Sequence, residues 1–247
     1  MFSPLEQFDI LYIMNLGIRF LDLSITNSTI FLILVFSYIF LFLLLNINRI
    51  RILPFIWFSI LESIYEFTVT LVFGNCNVVG QKYFPFIFVL FLFLLTTNLL
   101  GMVPYSFTLT SHLIFTFSLA LVIFIGINIV GIREHKLKYF NLFLPPGAPL
   151  AIAPFIILIE LISYFSRVFS LAIRLFANMM SGHTLLKILA GFAWTMLLKS
   201  NIWLFLFLIP FIIVFIVTAV EIGIAFLQAY VFTILVCIYL HDVLYMH

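Results

Sequence analysis

The run AIAPFIILIELISYFSRVFSLAIRLFANMMSGHTLLKILAGFAWTMLLK, from Ala151 to Lys199, decides the fold. It is apolar almost throughout and reads as one helix, followed by a turn at Asn201 and a second apolar run from Ile202 to Tyr239. Each helix has roughly 38 to 45 residues, or about 57 to 68 Å at 1.5 Å per residue, twice what a perpendicular bilayer crossing needs. Residues 150–240 are therefore expected to form an antiparallel hairpin of two strongly tilted membrane helices.

The chain in front of this hairpin has the same character. Leu23 to Asn48 carries no charge and Arg49 and Arg51 follow it, which predicts a transmembrane helix over 23–48 with a basic anchor behind it. In the stretch 54–74, Ser59, Glu62, Ser63, Glu66 and Thr70 recur at helical spacing opposite Phe55, Ile56, Trp57, Phe58, Ile60 and Phe67. That pattern predicts an amphipathic interfacial helix; the alternative is a transmembrane helix with two buried carboxylates. Residues 83–132 lack charge altogether and are interrupted at Gly101 and Pro104, so they read as a transmembrane hairpin closed by Arg133, Lys136 and Lys138. LPPGAP, Leu144 to Pro149, separates the two halves. Counting the basic residues places Arg49, Arg51, Lys82, Arg133 and Lys138 inside, and residues 1–22 outside.

Composition agrees with a single all-α membrane domain over 1–247. Of the 247 residues 66% are hydrophobic and 8% charged, with mean hydropathy +1.33, which excludes a water-soluble globular domain. No ten-residue alternation suggests a β-barrel. A net charge of +2, dispersed along the chain, gives no basic patch for nucleic acid. Cys76 and Cys237 have no disulfide or zinc spacing and read as apolar filling, and no cofactor or metal is indicated. The opening MFSPLEQFDI, with Glu6 and Asp9, reads as lacking an Arg-rich leader.

The few polar residues of the last two helices fall into seams. Glu160, Arg167, Arg174 and Ser181 recur every seven residues, and Asn178 joins them one turn after Arg174. On the second helix Glu221, Gln228 and Asp242 lie on the same lattice, with apolar Leu235 at the vacant position. Antiparallel pairing about Asn201 brings Glu160 to Asp242, Arg174 to Gln228, and His183 to Glu221. Charges at such depth cost several kcal/mol unless paired or hydrated, so the set reads as an ion pathway. Arginine does not release its proton at physiological pH, whereas the groups at the other two levels can titrate. A fixed positive barrier between two proton-exchanging zones blocks a direct leak, and a mobile partner carboxylate would carry protons around it. His183 lies nine residues from Arg174, opposite it on an ideal helix. Either Gly182 accompanies a distortion or His183 faces a separate aqueous cavity.

At these residues the chain resembles subunit a of the F-type ATP synthases. The resemblance is carried by SLAIRLFANMMSGHTLLK (Ser170 to Lys187), TNLLGMVPYSFT (Thr97 to Thr108), LPPGAPLAIAPFIILIELISYFSR and LQAYVF (Leu227 to Phe232), and it covers most of the chain from Pro54 onward. It implies that Arg174 is the arginine facing the carboxylate of a rotating c-ring, with Asn178 and Gln228 as polar neighbours. It further implies that Glu160 and Asp242 serve a proton outlet and His183 and Glu221 an inlet, with Asn98 at a polar inlet position. Gly101 stands where some bacterial members have an aspartate, so that part of their inlet does not transfer. The expected partners are the c-ring, the peripheral stalk and other membrane-sector subunits, and lipid, in a synthase that can be dimeric. The order of His183 and Glu221 resembles mitochondrial and alphaproteobacterial members and the YLHD ending mitochondrial ones, which implies the mitochondrial inner membrane, with a bacterial inner membrane as the alternative. Proton or sodium coupling is not decided by this chain, nor are roles for His112, Arg167 and His241; Arg167 reads as a structural or lipid-facing anchor. Two other classes compete: a secondary transporter, which would show inverted repeats and broken half-helices, and a purely structural assembly subunit.

Overall fold

The structure, a computed structural model, describes residues 5–14, 17–18, 21–22, 24–47, 56–103, 106–136, 138–139, 152–198 and 208–245. The expected anchor at Arg49 and Arg51, the Pro104 break, LPPGAP and the turn at Asn201 lie outside the described residues. Six helices account for most of the rest: α1 Asn27–Ile47, α2 Ile56–Gly80, α3 Phe84–Gly101, α4 Leu113–His135, α5 Ala153–Leu197 and α6 Leu208–Leu244. All six are long and apolar enough to cross a membrane, α2 among them although its sequence is expected to lie at the interface, and the chain is a multi-pass, all-α membrane protein. At 45 and 37 residues, α5 and α6 are uninterrupted helices. Helix suits lipid because every backbone donor and acceptor is satisfied within the segment.

The N-terminal segment holds short strands that helical and hydropathy patterning does not signal. β1 (Tyr12–Met14) pairs antiparallel with β4 (Ile25–Thr26), and β2 (Gly17–Ile18) with β3 (Leu21–Asp22). Asn27 ties this segment to the start of α1. Its amide donates to the Leu11 carbonyl at 3.1 Å, its Nδ2 to the Asp9 carbonyl at 3.0 Å, and its Oδ1 accepts from the Leu11 amide at 3.3 Å.

The described chain divides into two compact units, and α1, α3, α5 and α6 each contribute to both. Unit 1 comprises Met1–Phe40, Phe93–His112 and Leu175–Ala229; unit 2 comprises Leu41–Leu92, Leu113–Arg174 and Tyr230–His247. In both, an apolar core, with Leu175 and Ala225 in unit 1 and Phe91 and Val236 in unit 2, is surrounded by further apolar side chains. Large apolar side chains such as Ile33, Phe40, Ile114, Val122 and Phe215 face outward, where lipid accepts them. Polar side chains are turned inward: Asn98, Thr97, Thr110 and Glu221 in unit 1, and Thr68, Thr116 and Thr233 in unit 2.

Helix α2 continues six residues past the expected end at Gly74, since an isolated glycine costs a helix only about 1 kcal/mol. Its Glu62 and Glu66 are exposed, while Thr68, Leu71, Val72 and Cys76 are buried. Phe67 meets Phe91 of α3 at 5.5 Å and Tyr230 of α6 at 5.6 Å. The amphipathic pattern thus seats one face on α3 and α6. By length and composition α2 also qualifies as a span, as the least apolar of the six.

Candidate functional site

In unit 1, α5 and α6 enclose a cavity of about 100 Å³ lined by Asn178, Ser181, His183 and Glu221, with Met102 and Ile224 among its apolar walls. The sequence pairing of His183 with Glu221 is therefore realised at one cavity. Glu221 is only 8% exposed, and neither of its carboxylate oxygens has a hydrogen-bond partner among the described residues; nor does Nε2 of His183. Burying such groups without partners costs free energy that a folded protein ordinarily avoids, which singles the place out as a candidate site. Gly182 makes the arrangement possible. A Cβ at position 182 would overlap the Glu221 carboxylate. α5 runs through Gly182 without a break, and His183 lines one cavity with Glu221 and with Asn178 and Ser181 of the Arg174 seam.

Asn98 borders the same part of unit 1. It is fully buried on α3, its Nδ2 donates to the Ala225 carbonyl of α6 at 3.2 Å, and its Oδ1 is left without a partner among the described residues. Nearby in the chain, the segment Thr108 to Ser111 folds on itself: Thr108 Oγ1 donates to Ser111 Oγ at 2.7 Å, and Ser111 Oγ to the Thr108 carbonyl at 2.6 Å. His112 ends this segment, stacked on Phe107 with ring centroids 5.0 Å apart. Burial pushes its imidazole below the ordinary value.

In unit 2 Asp242, expected opposite Glu160, has its Oδ2 3.7 Å from Nη1 of Arg167, one heptad further along α5. Opposite charges attract where two carboxylates would repel, and the long arginine reaches across the helix pair. Among the described residues Glu160, which is half-buried, has no ion pair. The sequence reading assigned Arg167 to a structural or lipid-facing role, and the structure gives it an acidic partner within the protein. His241 Nδ1 is 3.9 Å from Asp242 Oδ1.

A polar cluster that the sequence reading missed stands beside this pair. Tyr139 donates to Asn128 Oδ1 at 2.5 Å and Tyr164 donates to the same oxygen at 2.9 Å, the two hydroxyls being 3.0 Å apart. Single polar residues at 128, 139 and 164 share no helical period, so no pattern could have joined them.

Arg174 is exposed on α5, in unit 2, with Nη2 donating to Ser170 Oγ at 3.4 Å one turn earlier. Among the described residues no carboxylate lies within ion-pair distance of it. Gln228 belongs to unit 1 and is half-buried on α6. The described residues contain no group of three or more potential metal ligands.

Six long apolar helices among the described residues, with acids, histidines and arginines on them, define a multi-pass helical membrane protein. Residues 27–241 match the family model described as ATP synthase A chain, and the chain belongs to that family. It is 54% identical to ATP synthase subunit a of Chondrus crispus over 245 residues, covering 99% of this chain and 97% of that protein. It is 51% identical to ATP synthase subunit a of Marchantia polymorpha, with 99% of each chain covered. Similarity extends to bacteria, at 47% identity to ATP synthase subunit a of Paramagnetospirillum magneticum over the whole of both chains. The chain is thus a membrane-sector subunit of ATP synthase.

Proposed function

We propose that this chain translocates protons between two offset half-channels kept apart by Arg174, exchanging them with carboxylates of a rotating c-ring. Protons from the outer side pass Glu221 and His183, with Asn98 beside them, and load a ring carboxylate. After nearly a full turn the ring carboxylic acid gives up its proton on the other side of Arg174, toward Glu160 and Asp242, while Asn178 and Gln228 flank the arginine. A group that cannot titrate blocks the direct route, so net flow requires the ring to move.

The observation that carries this reading is the buried, unpartnered Glu221 carboxylate facing the cavity it shares with His183. Arg174 supports it as a cation with no carboxylate of its own chain at hand among the described residues. The chain performs no bond chemistry itself in this reading; the peripheral stalk and other membrane-sector subunits hold it against the ring, in a synthase that can be dimeric. Helix α2 lies in the membrane interface with Glu62 and Glu66 toward water. The greater identity to relatives from algae and land plants than to bacterial ones, together with the YLHD ending, supports the mitochondrial inner membrane over a bacterial one.

Glu221→Gln in the assembled synthase tests the inlet. Proton uptake by vesicles slows while the amount of assembled complex is unchanged. A normal rate of ATP synthesis across a range of outer pH contradicts the assignment.

A further inference from the structure

Within unit 2 three groups converge on one guanidinium. Asp242 Oδ2 stands 3.7 Å from Arg167 Nη1, and Arg167 Cζ lies 5.4 Å from the ring centroid of Tyr239 and 6.0 Å from that of Tyr164. Tyr164 is fixed in turn, because its hydroxyl donates to Asn128 Oδ1 and lies 3.0 Å from the Tyr139 hydroxyl. Gly131 of α4 leaves room for this: a Cβ there would strike the Tyr139 ring and Val243. One series of contacts therefore runs from α4 through Tyr139 and α5 to the carboxylate on α6.

The pair itself is 34% and 46% exposed at its side chains, and ion pairs of such exposure contribute little to stability. Its geometry accounts for more. At 3.7 Å the two charges face each other without a hydrogen bond, and two tyrosine rings within 6.0 Å of Cζ restrict where the guanidinium can sit and so where its charge meets the carboxylate.

We propose that Arg167 is a positioning residue of the proton outlet: it holds Asp242 where that carboxylate takes up the departing proton and passes it to water. Tyr164 and Tyr239 fix Arg167, and the Asn128–Tyr139 bond fixes Tyr164. The inference rests on the assignment of Asp242 to the outlet.

The test is a double-variant cycle in the intact synthase reconstituted in vesicles, scoring ATP synthesis per assembled complex. Asp242→Asn lowers the rate. Arg167→Gln lowers it about tenfold or more, as misplacement of a reacting group by an ångström can. The double variant is no slower than Asp242→Asn alone, because Arg167 acts through Asp242. Arg167→Lys, which keeps the charge and loses the fork, recovers part of the rate. If Asp242→Asn runs at the wild-type rate, the outlet assignment itself fails. If Asp242→Asn is slow and Arg167→Gln is normal, or the two losses multiply, the positioning role fails and the assignment stands. Where Arg167→Gln does not assemble, Arg167→Lys replaces it in the cycle; failure of both to assemble makes Arg167 a structural staple and overturns the proposal.

Discussion

Gly182 lies so close to the Glu221 carboxylate that a methyl group at position 182 would overlap Oε1. The two residues come from different long helices, and the absence of a side chain on α5 sets where the acid on α6 can sit. Gly182→Ala is therefore expected to displace Glu221 from the cavity at an overpacking cost of about 1–3 kcal/mol. The complex should assemble and its ATP synthesis should fall severalfold. Measuring synthesis per assembled complex checks this; a normal rate would mean that Glu221 works from elsewhere.

A second expectation concerns the buried segment before α4. The His112 imidazole is held below its ordinary value of 6.5 by burial, so the folded segment binds fewer protons than the unfolded one. Its contribution to local stability is complete above pH about 6.5 and declines as pH falls through that value. Protection factors at residues 107–112, which divide out the slowing of intrinsic exchange in acid, should fall in mildly acidic buffer. In His112→Phe that fall should vanish.

The Asn128, Tyr139 and Tyr164 cluster gives a stability prediction. Tyr139→Phe removes a hydroxyl bonded to both Asn128 and Tyr164. Neutral hydrogen bonds between membrane helices contribute about 1 kcal/mol. The midpoint of unfolding in detergent should fall by a corresponding amount, and Gly131→Val, which drives a side chain into the Tyr139 ring and Val243, should lower it further.

The helices themselves were legible in the sequence because lipid imposes a simple rule: long runs without charge must be helical and must end near charge or at breakers. Gly101 ends α3 as that rule predicts, whereas Gly74 lies inside α2, since a glycine without an accompanying breaker does not stop a helix. The pairing of His183 with Glu221 was readable from antiparallel register alone. The ion pair of Asp242 with Arg167 was not, because counting residues ignores the reach of an arginine. The strands at Tyr12–Met14 and Ile25–Thr26 were too short for any period to announce, and the Asn128 cluster depends on contacts between segments far apart in the chain.

The central claim is that Arg174 works as a charge that cannot titrate, standing between groups that can. Its most direct test is Arg174→Ala in the assembled synthase, scoring ATP synthesis driven by an imposed proton gradient. The account predicts that the membrane sector assembles and that coupled synthesis is abolished. Normal coupled synthesis by the Arg174→Ala complex would contradict it.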